Sequence, residues 1–358
     1  MPASYNSPPL AELLGRLQES GFDGPFEPLH GGLINCVWRV RGQSGSASPT
    51  AVLKWAPDHV AAVPELPLGA ERVLFEARAL AAFEDPASLG GIAGAACRPP
   101  LLLGVFEDLR AILIEDLGPL PDLAASLREP GFDEAAAALA GRSLGAFIGR
   151  LHSQTFGRAA LAVQFDNRGV QKSRLDLHYA HVGSYAERAG LPDAAELGRR
   201  AVAYGELLQL AGVCLVMGDL WPFSTLVSGT DLRVIDWEFA SFGRPSQDIG
   251  HFAAHLWMQA HRAPDGASRA KADALLESFL RAYGCALGER RGDVFGEAAR
   301  QESATHFGAE ILARTVGAFQ SGYLYAGLGP VDPLIRQAVT VAAVHIRTPT
   351  AVDTFRLV

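Results

Sequence analysis

The sequence predicts an α+β fold, with a small antiparallel-sheet lobe first and a larger, mostly helical lobe after it. Two patterns carry this expectation. Up to about residue 117 most apolar residues fall in short runs of strand length, with one helical stretch among them; beyond it the spacing turns helical through most of the chain. Within the helical part, two further short apolar runs at 213–216 and 232–235 lie just before acidic residues, Asp219 and Asp236.

In chain order, residues 29–40 read as strand, glycine turn and strand, with Gly31 and Gly32 at the turn and Asn35 close behind. The run 51–55 carries Lys54 and follows the turn-rich stretch 42–49, which fits an exposed hairpin tip. Helical spacing covers 70–80. Strand-like runs return at 100–106 and 111–115, the second leading through Glu115 and Leu117 into a Gly118-Pro119 break. That break divides the chain into lobes of residues 1–117 and 118–358. Past it, helices are expected over 132–152, 174–190, 194–210, 248–259, 267–283, 297–319 and 332–347, punctuated by prolines at 192, 264 and 330.

Composition narrows the function classes. With 358 residues and 49% hydrophobic content the chain has ample core for two lobes. A net charge of −8 and a pI near 5.7 offer no basic stripe, which argues against nucleic acid as a partner. The four cysteines, Cys36, Cys97, Cys214 and Cys285, are far apart and read as reduced residues of a cytoplasmic protein. No signal-peptide pattern opens the chain, and no apolar run reaches the ~20 residues needed to span a bilayer, so no membrane partner is expected. The oligomeric state stays open.

The chemistry is concentrated between residues 217 and 248. Asp219, Asp236 and Glu238 are three separated carboxylates around a short strand pair. Phosphoryl transfer needs one carboxylate to orient an attacking hydroxyl and another to hold magnesium. It also needs a cation on the phosphates. Lys54 is one of only three lysines against 28 arginines, and it sits in an apolar strand where an ammonium requires an anionic partner. Glu76, from the 70–80 helix, can be that partner; Glu71 is the competing choice.

These residues, in this order, resemble the aminoglycoside phosphotransferase and choline kinase group of the protein-kinase-like fold. The catalytic loop there usually reads H-G-D-x-x-x-x-N, followed by I-D-x-E or I-D-x-D. Here M-G-D-L-W-P-F-S runs over 217–224, then I-D-W-E and Q-D-I-G, most similar to methylthioribose kinase. Met217 stands where His is usual and Ser224 where the metal-binding Asn is usual; methylthioribose kinases also carry Ser there. The resemblance implies ATP and Mg2+ as cofactors and a small hydroxylated metabolite or antibiotic-like molecule as acceptor. It implies that Asp219 orients the acceptor hydroxyl and takes its proton, that Asp236 binds magnesium, and that Glu238 and Ser224 are candidates for a second metal position. Lys54 paired to Glu76 would contact the nucleotide phosphates, the turn at Gly31, Gly32 and Asn35 would lie over them, and the backbone at Glu115 and Leu117 would meet the adenine. Asp248 would brace the catalytic loop, besides reading as a helix N-cap. On the acceptor side, Arg314 is the second of an arginine pair in methylthioribose kinases, with Ala313 in the other place; Arg314 and Trp221 are therefore candidate acceptor contacts, and an acceptor other than methylthioribose is expected. Arg314 can equally pair with Glu310 on its own helix face.

Two other motifs compete. Gly141-Arg142-Ser143-Leu144-Gly145 matches the hydrolase nucleophile elbow but lies in an alanine-rich helical pattern, where a small helix-packing role fits better. His251 and His255, four apart on a helix, have the spacing of a metal pair, yet no third ligand is visible in the sequence. A catalytically weakened, nucleotide- or metabolite-binding pseudokinase is the alternative function, on the strength of Met217 and Ser224.

Overall fold

The computed structural model describes residues 8–29, 32, 34–44 and 48–349. Gly31 and the tip of the predicted hairpin at 45–47 lie outside the described residues. The chain forms two compact units: Met1–Ala93 with Pro99–Leu120 and Ile235–Ala240, and Gly94–Arg98 with Pro121–Val234 and Ser241–Val358. The segment that carries Asp236 and Glu238 therefore belongs to the same unit as Lys54.

The first unit is built on a five-stranded antiparallel sheet in the order Phe22–Pro28, Cys36–Gly42, Thr50–Trp55, Ala111–Glu115, Leu102–Phe106. Alternation along Thr50–Trp55 sorts its side chains between the two faces. Ala51, Leu53 and Trp55 join Leu13 and Leu17 of the helix Leu10–Glu19 in one buried cluster with Trp38, Val40 and Leu113. Each buried leucine there stabilises by ~1.5–3 kcal/mol. Lys54 falls on the opposite face, towards the helix Arg72–Glu84, which buries Val73, Ala77 and Leu80. The 29–40 hairpin differs from expectation: its strands are Phe22–Pro28 and Cys36–Gly42, so the first of them lies ahead of residue 29.

The second unit is mostly helical. Its long helices are Glu134–Thr155, Ala194–Leu207, Ser246–His261, Gly266–Leu287, Glu297–Thr315 and Pro333–Arg347. The expected helix over 174–190 is two helices, Arg168–Leu177 and Val182–Arg188, separated by a short 3-10 turn, Tyr179–His181; the break lets Tyr179 turn fully into the core. Short strands cross the helices: Cys214–Val216 pairs antiparallel with Ser241–Gly243, and Thr225–Ser228 pairs with Asp231–Val234, which also accepts Cys97–Arg98 in parallel. Among the described residues, no helix is long and apolar enough to cross a membrane.

Candidate active site

Lys54 stands in a fully developed ionic cluster. Its ammonium lies 2.9 and 2.7 Å from the two oxygens of Glu76 and 2.7 Å from Asp236 Oδ1, while Glu71 is taken instead by Arg110 at 2.5 Å. Burial alone would discharge the lysine, but the carboxylates of Asp236 and Glu76 outweigh it and hold the ammonium charged. Glu76 is pushed up to about 7, by burial first and then by the neighbouring acids against the pull of Lys54. Asp236 itself has a left-handed backbone, φ +64, a conformation that costs a non-glycine residue of order 1–3 kcal/mol, less for Asp, and that clusters at functional sites. The next residue, Trp237, is fully buried with its ring 4.8 Å from Phe83, which fixes the turn.

A buried arginine, Arg72, ties Asn35 and Glu238 together. The Arg72 guanidinium donates to the carbonyls of Pro57, Leu68, Gly69 and Ile34 and to Asn35 Oδ1, and its Nε lies 3.0 Å from Glu238 Oε2. Asn35 completes the ring by donating from Nδ2 to the same Glu238 oxygen at 2.9 Å. Glu238 and Asn35 are thus joined to each other and to the Ile34 backbone, and Arg72 is the link. At the sheet edge, Glu115 accepts from the Leu101 amide through Oε2 and pairs with Leu101 along the backbone, while Leu117 is half-buried beside it.

In the second unit, Asp219 follows Cys214–Val216 on a loop shaped from beneath. Asp248, fully buried, accepts from the amides of Met217 at 2.9 Å and Gly218 at 2.7 Å, and is itself met by His152 Nε2 at 3.0 Å. Asp248 lies in the first turn of Ser246–His261 rather than at its cap, which is Pro245; its carboxylate serves the loop and does not cap the helix. Gly218 has φ +85, a backbone that favours glycine. Ser224, also fully buried, closes the loop by donating towards the carbonyls of Trp221 and Asp219 and accepting from the Trp221 amide. Arg174 grips the loop from the side: Nη2 reaches the Gly218 carbonyl and lies 2.7 Å from Asp219 Oδ1.

With this geometry in view, the comparisons with known proteins are decisive for the family. The phosphotransferase enzyme family pattern matches residues 25–295, about three quarters of the chain. The chain belongs to the phosphotransferase enzyme family. It is similar to the 4-hydroxytryptamine kinase of Psilocybe cyanescens, 26% identical over 269 residues, covering 71% of this chain and 73% of that one. A shorter match, 37% over 79 residues, links it to the methylthioribose kinase of Exiguobacterium sibiricum and covers only 20% of that protein. Among solved structures, a Ralstonia eutropha protein assigned to the aminoglycoside phosphotransferases superposes with a TM-score of 0.53 at 16% identity, over 96% of this chain and 98% of the other. The choline kinase of Cryptosporidium parvum gives 0.51 at 12% identity, over 95% of each. This phosphotransferase therefore has the kinase-like fold, and it is an enzyme that phosphorylates an alcohol group.

The phosphotransferase reading draws on residues that the sequence did not single out. Arg72 and Arg174 are two of 28 arginines in helical segments, and nothing in their spacing marks them. Glu310, noted only as a helix partner of Arg314, turns out to be the centre of a buried polar cluster. It accepts from Arg314 Nε at 2.7 Å and lies 3.1 Å from His255 Nε2 and 3.5 Å from His178 Nε2. The Arg314 guanidinium is faced by three rings, Trp221, Phe319 and Tyr323, at 5.1–5.3 Å. Trp221 and Arg314, the two predicted acceptor contacts, thus stand together, with Ala313 fully buried beside them.

Proposed function

We propose that the chain transfers the γ-phosphate of magnesium-bound ATP to a hydroxyl of a small organic acceptor other than methylthioribose. Lys54 holds the nucleotide phosphates, Asp236 is the principal magnesium ligand, and Asp219 orients the acceptor hydroxyl and takes its proton. The observation that carries this reading is the Lys54 ammonium clamped between Glu76 and Asp236, the ion pair that kinase-like enzymes require in place.

The donor set fits magnesium. Around Lys54 and Arg72 stand three carboxylates, Glu76, Asp236 and Glu238, which offer hard oxygen donors. Asp236 is the most open of them, with its side chain 42% exposed. Magnesium there would neutralise charge developing on the transferred phosphoryl group. Glu238 and Ser224 are the further metal candidates; both already hold their own neighbours, Glu238 through Arg72 and Asn35 and Ser224 through its loop, so Asp236 carries the larger share. Gly32 and Asn35 lie over the phosphates and the backbone at Glu115 and Leu117 meets the adenine. Arg174 keeps the Asp219 carboxylate aimed, while Trp221 and Arg314 line the acceptor side.

The test uses purified protein. Magnesium-ATP at millimolar concentration should raise the thermal midpoint by mass action, and a panel of aryl-alkyl amines bearing hydroxyls, amino alcohols and sugars should include an acceptor that drives ADP release. Asp219→Asn should keep the thermal shift while losing turnover by ~10²–10⁴-fold. No stabilisation of the wild type by magnesium-ATP, or full turnover in Asp219→Asn, would overturn the assignment.

A further inference from the structure

We propose that His251, His255 and Glu310 form a binding site for a borderline divalent transition metal, zinc foremost, separate from the magnesium position at Asp236. His251 and His255 lie one turn apart on Ser246–His261, and Glu310 reaches them from Glu297–Thr315. One ligand atom from each lies within 4.8 Å of the other two. Ligands on a tetrahedral zinc with bonds of ~2.0–2.1 Å stand about 3.4 Å apart. Side-chain movements of about an ångström therefore close the site.

Each imidazole has one ring nitrogen tied to a partner outside the cluster, as metal-bound histidines do, while His255 Nε2 is also hydrogen-bonded to Glu310 and His251 Nδ1 lies 3.7 Å from the same carboxylate. His255 Nδ1 meets the Tyr323 hydroxyl at 2.5 Å, and its Nε2 points at Glu310 Oε1. His251 Nδ1 meets His306 Nε2 at 3.1 Å, and His306 is held in turn by the Tyr179 hydroxyl at 2.7 Å. His251 Nε2 is buried and makes no hydrogen bond, which is costly for a polar atom unless something else engages it. It lies 3.5 Å from Asp219 Oδ1.

Burial keeps both histidines neutral, with His255 lowered to about 4 and His251 well below the ordinary range. Burial works against the charge of Glu310, but Arg314 and the histidines hold its carboxyl well below the usual value. The charged and titratable groups facing His251 are Asp219, Glu310, Arg174, His255 and His306, and Arg314 sits on Glu310, so a cation there meets two acids and two fixed positive charges. Arg314 takes one lone pair of Glu310, and a carboxylate offers about four. Two nitrogens and an oxygen suit zinc or cobalt and give magnesium no advantage. Asp219, with 23% of its side chain exposed, is the edge through which an ion enters, and it is placed to become the fourth ligand. A metal so bound takes the catalytic carboxylate out of service, so occupancy inhibits phosphoryl transfer.

Cobalt(II) added to the metal-free wild type, without nucleotide, should give the intense visible bands of four-coordinate nitrogen and oxygen ligation at one ion per chain. Thiolate charge-transfer bands should be absent, and zinc should displace the ion. His255→Gln should weaken cobalt binding by more than about tenfold, since even outer partners of a metal site contribute ~10–100-fold. X-ray absorption of the zinc-loaded wild type should show imidazole ligands and no sulfur; this measurement holds even if the variant does not fold. Cobalt that stays six-coordinate, a sulfur-containing shell, or undiminished binding in folded His255→Gln would overturn the site. None of these readouts depends on ATP, so they separate this proposal from the kinase assignment; zinc inhibition of turnover tests only its consequence.

Discussion

Arg72 is fully buried, spends its guanidinium on five carbonyls, Asn35 and Glu238, and through them ties Ile34 and Asn35 to the segment bearing Asp236. Burial lowers its pKa, with Glu238 pulling the other way, which is the signature of a cation kept for its partner. Breaking a buried ion pair from one side leaves the other charge uncompensated, a loss of ~3–5 kcal/mol. Arg72→Met should therefore destabilise the protein by about that much in urea unfolding, and adding Glu238→Gln should restore part of the loss, because the orphaned charge disappears. A single variant that unfolds at the wild-type urea midpoint would remove Arg72 from this role. The sequence could not reveal it: a lysine among three stands out, an arginine among 28 does not. Lys54, Asp219 and Asp236 stand out as candidates in the sequence because their chemistry is scarce or sits at the ends of apolar runs. Glu310 was hidden because its partners His251 and His255 come from another helix, 55 residues away in the chain for His255.

Glycines decide how the longest pair of helices packs. A Cβ at Gly141 would lie 2.2 Å from the Leu275 carbonyl oxygen, one at Gly145 would lie 2.2 Å from that of Phe279, and one at Gly149 would lie 2.8 Å from that of Tyr283. The three repeat every four residues along Glu134–Thr155 and face the same repeat on Gly266–Leu287, so the two backbones touch along a glycine stripe. This resolves the G-x-S-x-G motif: Ser143 is mid-helix, and the glycines around it serve packing. Gly145→Ala should then cost ~1–3 kcal/mol by overpacking, even though alanine favours a helix by ~1 kcal/mol. Gly169→Ala, in Arg168–Leu177 with nothing within 4 Å of the added carbon, should be neutral or slightly stabilising. Equal urea midpoints for Gly145→Ala and wild type would mean that the helices can separate at little cost. At this scale the sequence was informative about which segments are helical and poor about their interruptions. The break at Tyr179–His181 has neither glycine nor proline to announce it; it follows from burying Tyr179 against Tyr204 and His306.

Acid stability is a property of the whole chain, because six of its ten histidines are held neutral by burial: His178, His251, His255, His261, His306 and His345. For each, the folded pKa lies below the ordinary 6.5, and for His255 and His345 it falls to about 4. Between those values the unfolded chain binds protons that the folded chain refuses, so stability falls as pH falls. A single fully shifted histidine contributes a slope of up to ~1.4 kcal/mol per pH unit, and several together are large against a total stability of ~5–15 kcal/mol. Glu76 opposes them: with its pKa raised to about 7, the folded state gains a proton first as pH falls below 7. That is one group against six, so the histidines prevail. Urea unfolding from pH 8 downwards should show little change to about pH 7, then a steep loss below 6.5 that continues towards 4. His345→Phe, which cannot take a proton, should flatten the slope by up to ~1.4 kcal/mol per pH unit over the same window. A urea midpoint that stays level from pH 8 to pH 5 would show that these histidines titrate as freely in the folded chain as in the unfolded one, and that the polar core around Glu310 is not closed to water.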